Sequence, residues 1–152
     1  IIDIGDSNDI HPKNKIDVGK RLAKAALQST YKMEGEWSSP MFDRAEIMND
    51  KALIHFKNFQ GSLVTNDKYG FVKGFMIAGS DSVFHWAKAS IDNNIVTVSS
   101  VEVKKPVAIR YAWANNPGEL NLYNKDGLPV APFRTDSWPS ITKGNKFSEN
   151  PK

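Results

Sequence analysis

The spacing of apolar residues changes along the chain from a helical to an alternating period. Between residues 17 and 31, apolar residues spread over about half of a helical wheel, at roughly 100° per residue, which predicts a helix with Asp17 as its N-cap. The apolar arc comprises Val18, Leu22, Ala23, Ala25, Ala26 and Leu27. The other side comprises Lys20, Arg21, Lys24 and Gln28. An arc this wide usually packs against something larger than one small sheet, so it predicts a further body of protein.

Beyond residue 42 the alternation typical of half-buried strands takes over. It predicts one hairpin that turns at residues 49–51 and a second whose strands span 84–91 and 95–98. Further strands are predicted at the ranges 62–65, 74–78 and 107–113. Several short strands at close spacing are typical of an antiparallel β-sandwich. The predicted fold class is therefore mainly β (α+β), with a loop and one helix before the sandwich.

A connector separates these two parts. Residues 32–42 have no clear period and contain Gly35 and Pro40. Four prolines after Tyr123 predict mostly irregular structure that fades into a tail. We therefore predict a loop-helix segment at 1–34, a β-sandwich domain at 35–138 and a loose tail at 139–152.

Composition excludes several classes of protein. Hydrophobic residues at 40% and charged residues at 24% of 152 residues are ordinary for a globular domain. Lysine and arginine are scattered among 17 acidic residues, so the net charge of +3 indicates a mixed surface rather than a nucleic-acid partner. No stretch approaches the roughly 20 apolar residues that a membrane span requires. Ile1 begins no signal peptide, and its position suggests a processed N-terminus.

The chain contains no cysteine. This excludes disulfides, thiolate metal sites and a cysteine nucleophile. It leaves the compartment open, and we favour a periplasmic or secreted location. We expect no cofactor.

The polar loop from Gly5 to Lys15 holds the candidate chemistry. His11 is the side chain most easily tuned to exchange a proton near neutral pH. A carboxylate beside such a ring orients it and stabilises its protonated form, and Asp9, Asp6 and Asp3 all lie close enough in sequence. The alternative is that these side chains only cap the helix and solvate the loop.

Three separated blocks of sequence carry a resemblance to a known family. The first reads NDIHPKNK at residues 8–15, followed by VGKRLA at 18–23. The second reads PVAIRYAWANNP at 106–117. The third reads NLYNKDGLP at 121–129 and PFRTD at 132–136. Together these blocks resemble the C-terminal part of the sialate O-acetylesterase family, which belongs to the SGNH hydrolases.

The resemblance implies an incomplete serine esterase that acts on acetylated carbohydrates. His11 would be its catalytic base and Asp9 the orienting carboxylate. The SGNH pattern usually places the acid three residues before the histidine, where this chain has Asn8, so Asp6 or a carboxylate elsewhere stays open. The family's Gly-Gln-Ser-Asn nucleophile block and its oxyanion blocks are absent from the sequence. The loop and helix would then be the end of an α/β catalytic domain, whose missing N-terminal part is the implied partner.

Ser7 is a candidate nucleophile, because Gly5-Asp6-Ser7 resembles the start of a GDS-type block. It lies only four residues from His11, whereas SGNH enzymes bring nucleophile and base from opposite ends of the domain. We therefore expect Ser7 to make local hydrogen bonds instead. Residues 1–152 alone are expected to have little or no esterase activity.

The remaining candidates have structural alternatives. His55 and His85 lack partners at metal-ligand spacing, so we expect strand histidines and no metal site. Arg110 and Arg134 would either bind substrate carboxylates or pair with acidic residues. The aromatic residues would form either a sugar-stacking platform or part of the core, and we expect Trp86 and Trp113 in the core. The platform would consist of Trp37, Trp86, Trp113, Trp138, Tyr111 and Tyr123. The rival hypotheses are a non-catalytic carbohydrate-binding sandwich and an assembly domain, which would use the helix face and allow oligomers.

Overall fold

A computed structural model describes residues 1–35, 37–140 and 143–144. These residues form one α-helix and ten β-strands. In chain order they are α1 (Lys15–Ser29), β1 (Met41–Met48), β2 (Lys51–Lys57), β3 (Leu63–Thr65), β4 (Phe75–Ala78), β5 (Phe84–Trp86), β6 (Lys88–Asp92), β7 (Ile95–Ser99), β8 (Ala108–Tyr111), β9 (Leu122–Asn124) and β10 (Phe133–Arg134). No helix among these residues is long and apolar enough to span a bilayer.

The helix begins earlier than predicted. Asn14, not Asp17, is its N-cap, because the Asp17 amide donates to Asn14 Oδ1 at 3.1 Å. Asn14 Nδ2 donates in return to Asp17 Oδ2 at 2.6 Å. Two good capping residues three positions apart satisfy each other, so the first of them sets the start of the helix. The helix ends at Ser29, two residues before the predicted Tyr31.

Two four-stranded antiparallel sheets pack against each other and confirm the mainly β fold. The first has the strand order β1-β2-β7-β6 and the second the order β10-β8-β4-β5, with a small β3-β9 pair beside them. Ile54 and Val96 from the first sheet and Ile77 and Tyr111 from the second lie in one buried cluster. The predicted hairpin at 49–51 is present as β1-β2.

The second predicted hairpin is only partly right. Lys88–Asp92 pairs with Ile95–Ser99, and the turn places Asn93 and Asn94 at φ of 48° and 65°, as a tight hairpin turn requires. The predicted strand 84–91, however, is divided at Ala87. Phe84–Trp86 belongs to the second sheet, and Lys88–Asp92 belongs to the first. The alternation continues across Ala87, so it does not reveal that the chain changes sheets there.

The described C-terminal region is mostly irregular, as its prolines predicted, but it also contributes two short strands. Leu122–Asn124 and Phe133–Arg134 are strands that pair with β3 and β8. Most of the predicted loose tail, residues 141–142 and 145–152, lies outside the described residues.

Helix α1 contacts the sandwich with the side that was predicted to be polar. Arg21 and Lys24 are half-buried and reach the turn at residues 124–127. Leu22, in the apolar arc, is 67% exposed. No residue of the helix is buried. Val18 and Ala25 of the predicted apolar arc are half-buried. The described residues leave the rest of that arc exposed.

Candidate active-site loop

Local hydrogen bonds shape the loop that carries His11. Asp6 Oδ1 accepts from the Asn8 amide at 2.9 Å, and Asp9 Oδ1 accepts from the His11 amide at 2.8 Å. Each is an Asx turn, in which a short carboxylate replaces a main-chain acceptor two residues away. The Asp9 amide also donates to the Asp6 carbonyl at 3.3 Å. The loop is thus built from consecutive tight turns.

The imidazole of His11 projects from this loop without a partner. His11 is exposed, and its ring makes no hydrogen bond to another described residue. Asp9 holds the main-chain amide of His11 rather than its ring. Asp6 lies 3.8 Å from Lys13 Nζ. The role of Asp9 as the orienting carboxylate therefore stays a prediction.

Ser7 makes none of the local hydrogen bonds that were expected of it. It is exposed, and its hydroxyl contacts neither His11 nor another polar group of the described residues at hydrogen-bond distance. A serine nucleophile must lie within hydrogen-bond reach of its base. This chain, as described, does not bring Ser7 and His11 together.

Asp3, the third carboxylate before His11, forms a buried ion pair with Arg21. Arg21 Nη1 and Nη2 donate to Asp3 Oδ1 and Oδ2 at 2.7 and 2.8 Å, a bidentate arrangement. The Asp3 side chain is 4% exposed. Burial acts to raise the pKa of Asp3, but hydrogen bonding and the charge of Arg21 outweigh it and leave the pKa below its ordinary value. Asp3 is therefore committed to Arg21 and not to His11.

Two cavities adjoin the helix, and neither is lined by His11. One, of about 320 Å³, lies between α1 and the sandwich. It is lined by Ile1, Val18, Arg21, Leu22, Trp37, Ser39, Leu128 and Pro129. The other is an open cleft of about 1090 Å³ between the end of α1 and residues 58–60. Neither of these two cavities therefore includes His11 in its lining.

The two candidate arginines pair with an acidic residue instead of facing solvent. Arg110 donates through Nε and Nη2 to Asp136 at 2.8 and 2.9 Å, and Arg134 Nη2 donates to the same carboxylate. Hydrogen bonding to Arg110 is the main cause that lowers the pKa of Asp136 to about 2. Of the two predicted alternatives, the structure has the ion pair.

The tryptophans are distributed differently from the prediction. Trp86 and Trp113, expected in the core, are 68% and 47% exposed. Trp86 lies on β5, an edge strand, where alternation assigns it to the outer face of the sheet. Trp113 lies beyond the end of β8, and the centroid of its ring is 5.7 Å from Arg134 Cζ. Tyr111, in contrast, is fully buried, so these aromatic residues do not form one platform.

The strand histidines occupy the predicted strands. His55 is on β2 with Nε2 3.2 Å from Glu46 Oε1, and His85 is half-buried on β5. Among the described residues, no three His, Asp or Glu side chains cluster closely enough to hold a metal ion.

The described residues define an antiparallel β-sandwich that carries an attached loop and helix, with a histidine exposed on the loop. No family model matches the chain, and no curated protein matches it. Among solved structures, the chain is similar to the crystal structure of a novel carbohydrate acetylesterase from Xanthomonas citri. The two are 49% identical, with a TM-score of 0.85.

This similarity covers 91% of the chain but 32% of the Xanthomonas citri protein. The chain therefore spans about a third of the length of that enzyme. The likeness supports a relationship to carbohydrate esterases. The finer assignment to sialate esterases and SGNH hydrolases stays a prediction.

Proposed function

We propose that this chain is the C-terminal portion of a carbohydrate O-acetylesterase, in which it supplies His11 as the catalytic base. The observation that carries the proposal is the 49% identity to a carbohydrate acetylesterase over 91% of the chain. The three sequence blocks that resemble sialate O-acetylesterases support the same conclusion and give the role of His11. The substrate class is an acetylated carbohydrate.

In the proposed reaction, a serine of the longer enzyme attacks the acetyl carbonyl carbon while His11 accepts the hydroxyl proton. The tetrahedral intermediate collapses, the bond to the sugar oxygen breaks, and the imidazolium returns the proton to that oxygen. Water then attacks the acetyl-enzyme, with His11 as base again, and acetate leaves. The oxyanion donors belong to the longer enzyme.

The geometry of the loop is compatible with a catalytic base whose nucleophile lies on another part of the protein. The ring of His11 is exposed and has no partner among the described residues, so it is free to meet a serine from another part of the protein. The Asx turn at Asp9 and the adjacent Pro12 restrict the backbone on both sides of His11. Asp9 is the proposed orienting carboxylate, which would need its second oxygen to reach the ring.

The uncovered face of α1 is the proposed contact with the rest of the enzyme. Ile16 is 69% exposed, and Leu22 and Leu27 are also exposed. Contiguous exposed apolar surface marks an interaction site more often than a solvated face. A chain that spans about a third of its relative has ample missing protein to cover this face.

The test compares the longer enzyme with residues 1–152 alone. In the longer enzyme, His11→Ala should lower kcat for an acetylated oligosaccharide and for an aryl acetate by about 100- to 10,000-fold. His85→Gln, on a strand of the second sheet, is the matched control and should leave kcat within about twofold. Residues 1–152 alone should not turn over either ester. Turnover by the isolated chain that a serine-directed inhibitor blocks would overturn the proposal and revive Ser7.

The exposure of Trp86 and Trp113 favours one alternative function, a non-catalytic carbohydrate-binding sandwich. Exposed tryptophans offer flat apolar faces on which sugar rings stack. Under this alternative, the isolated chain would retain glycans in affinity electrophoresis, Trp86→Ala or Trp113→Ala would abolish retention, and His11→Ala would not. Trp37→Ala, an exposed tryptophan near the helix, is the control. Absence of retention for a panel of acetylated and deacetylated glycans would remove this alternative.

A further inference from the structure

The Asp3–Arg21 ion pair brackets the loop that carries His11. Asp3 precedes the loop, Arg21 lies in the second turn of α1, and the two are 18 positions apart in sequence. Both oxygens of Asp3 are engaged by both terminal nitrogens of Arg21. A bidentate guanidinium–carboxylate pair fixes direction as well as distance between the two groups. The two ends of the loop are therefore held in one relative position.

Two other contacts attach this segment to the sandwich: Ile2 packs against the buried cluster, and Lys24 Nζ donates to the Asp126 carbonyl at 3.4 Å. The remaining interactions are local and exposed. The Asx turns at Asp6 and Asp9 each span two residues and do not attach the loop to the protein body. The Lys13–Asp6 contact at 3.8 Å joins side chains that are well exposed, and such pairs contribute little. Helix α1 has no buried residue that would anchor it by apolar packing. Asp3 and Arg21 thus form the bidentate link between the start of the loop and the helix.

The same pair lies against the turn at residues 124–127. Arg21 Nη2 approaches the Gly127 carbonyl at 3.5 Å. That turn is held by Asn124, whose buried side chain accepts from the Leu128 amide at 2.8 Å. Tyr123 lies beside Asp3, and burial together with the Asp3 charge raises the pKa of the Tyr123 hydroxyl. The ion pair therefore connects the loop and the helix to the turn at residues 124–127.

We infer that Asp3 and Arg21 are positioning residues for His11, which set where the proposed base stands relative to the rest of the enzyme. This inference rests on the proposed function. A base must come within about 3 Å of the proton that it accepts, and displacement by about 1 Å is enough to lower a rate by about 100-fold. Neither Asp3 nor Arg21 touches His11, so each acts through the position of the loop.

The first measurement uses residues 1–152. Amide hydrogen exchange is followed in Asp3→Asn, Arg21→Gln and the milder Arg21→Lys. Lysine keeps the positive charge but cannot form the bidentate hydrogen bonds of the guanidinium group. Exchange should accelerate by at least tenfold at loop and helix amides, whereas amides of β2, β4 and β7 should keep their protection. Lys73→Gln, which breaks the exposed Lys73–Glu119 pair, is the control and should change neither region.

The second measurement uses the longer enzyme. Arg21→Lys and Asp3→Asn should each lower kcat by at least tenfold with KM within about twofold, because the substrate contacts of the enzyme are unchanged. The double variant Asp3→Asn/Arg21→Lys should have a kcat no lower than that of either single variant, since the residues act as one unit.

The outcomes separate the two proposals. If His11→Ala leaves kcat unchanged, the proposed function fails. If His11→Ala abolishes turnover while Asp3→Asn and Arg21→Lys leave kcat and loop exchange unchanged, the positioning role alone is overturned. An equal loss of protection throughout the sandwich would also overturn it, because the pair would then be a general stabiliser.

Discussion

Asp136 forms ion pairs with Arg110 and Arg134, and replacing it by asparagine should lower the stability of the sandwich. Its side chain is 2% exposed and accepts hydrogen bonds from Arg110, Arg134 and the Trp138 amide. The Arg110 guanidinium also lies 4.0 Å from the Phe84 ring centroid. Asp136→Asn removes the negative charge and leaves two guanidinium groups facing an amide.

The magnitude follows from the pKa of Asp136. Its ordinary pKa is 3.8 and its pKa in the folded protein is about 2. At 1.36 kcal/mol per pKa unit, the ionised carboxylate stabilises the fold by about 2 kcal/mol at neutral pH. Because the folded pKa is the lower one, this stabilisation is complete above about pH 5 and is lost as the pH falls toward 2. About 1 kcal/mol of it is lost by pH 3.

Urea unfolding followed by tryptophan fluorescence measures the effect at pH 7, 5, 4 and 3. Asp136→Asn should lower the free energy of unfolding at pH 7 by about 2 to 3 kcal/mol, the low end for a broken buried pair, since the amide keeps one acceptor. At pH 3, the difference in free energy of unfolding between the variant and the wild type should be smaller by about 1 kcal/mol. Asp43→Asn is the control, because its partners Arg44 and Lys57 are largely exposed, and it should cost less than about 1 kcal/mol. A gap below about 0.5 kcal/mol at pH 7, or one that is independent of pH, would refute the reasoning.

Two further predictions concern residues of the second sheet and its core, and a third concerns helix α1. Tyr111→Phe should leave the urea midpoint unchanged or raise stability by up to about 1 kcal/mol, because the buried Tyr111 hydroxyl has no hydrogen-bond partner among the described residues; a loss above about 1 kcal/mol would contradict this. Gly74→Ala should cost about 1 to 3 kcal/mol in the same assay, because Gly74 has φ of +89° and a Cβ there would lie 2.6 Å from Leu120 Cδ2. Gly19→Ala, with open space around the new methyl group on exposed α1, should instead stabilise by up to about 1 kcal/mol, and equal effects of the two changes would be inconsistent with this account.

The candidate site was predictable in its chemistry and not in its contacts. The residue type and the resemblance of its surroundings single out His11 in the sequence. The carboxylates that could orient its ring all lie within eight residues of it. However, Asp3 accepts hydrogen bonds from Arg21 in the helix, and Asp9 accepts one from the main-chain amide of His11. Nothing in the sequence marks residues 18 positions apart as an ion pair. The role of Asp9 as the carboxylate that orients His11 therefore stays a prediction.

The sequence by itself determined the features that depend on neighbours along the chain. Alternation predicted the strands from β1 to β8, with β5 and β6 joined in one, and the asparagine turn at 93–94 predicted a hairpin. Side-chain period and turn geometry are local properties, so the sequence reveals them. The tertiary structure decided which faces are covered. It placed Trp86 outside, divided the strand at Ala87 between two sheets, and turned the charged side of α1 toward the sandwich. Period distinguishes two faces of an element, but only the element packed against it decides which face is buried.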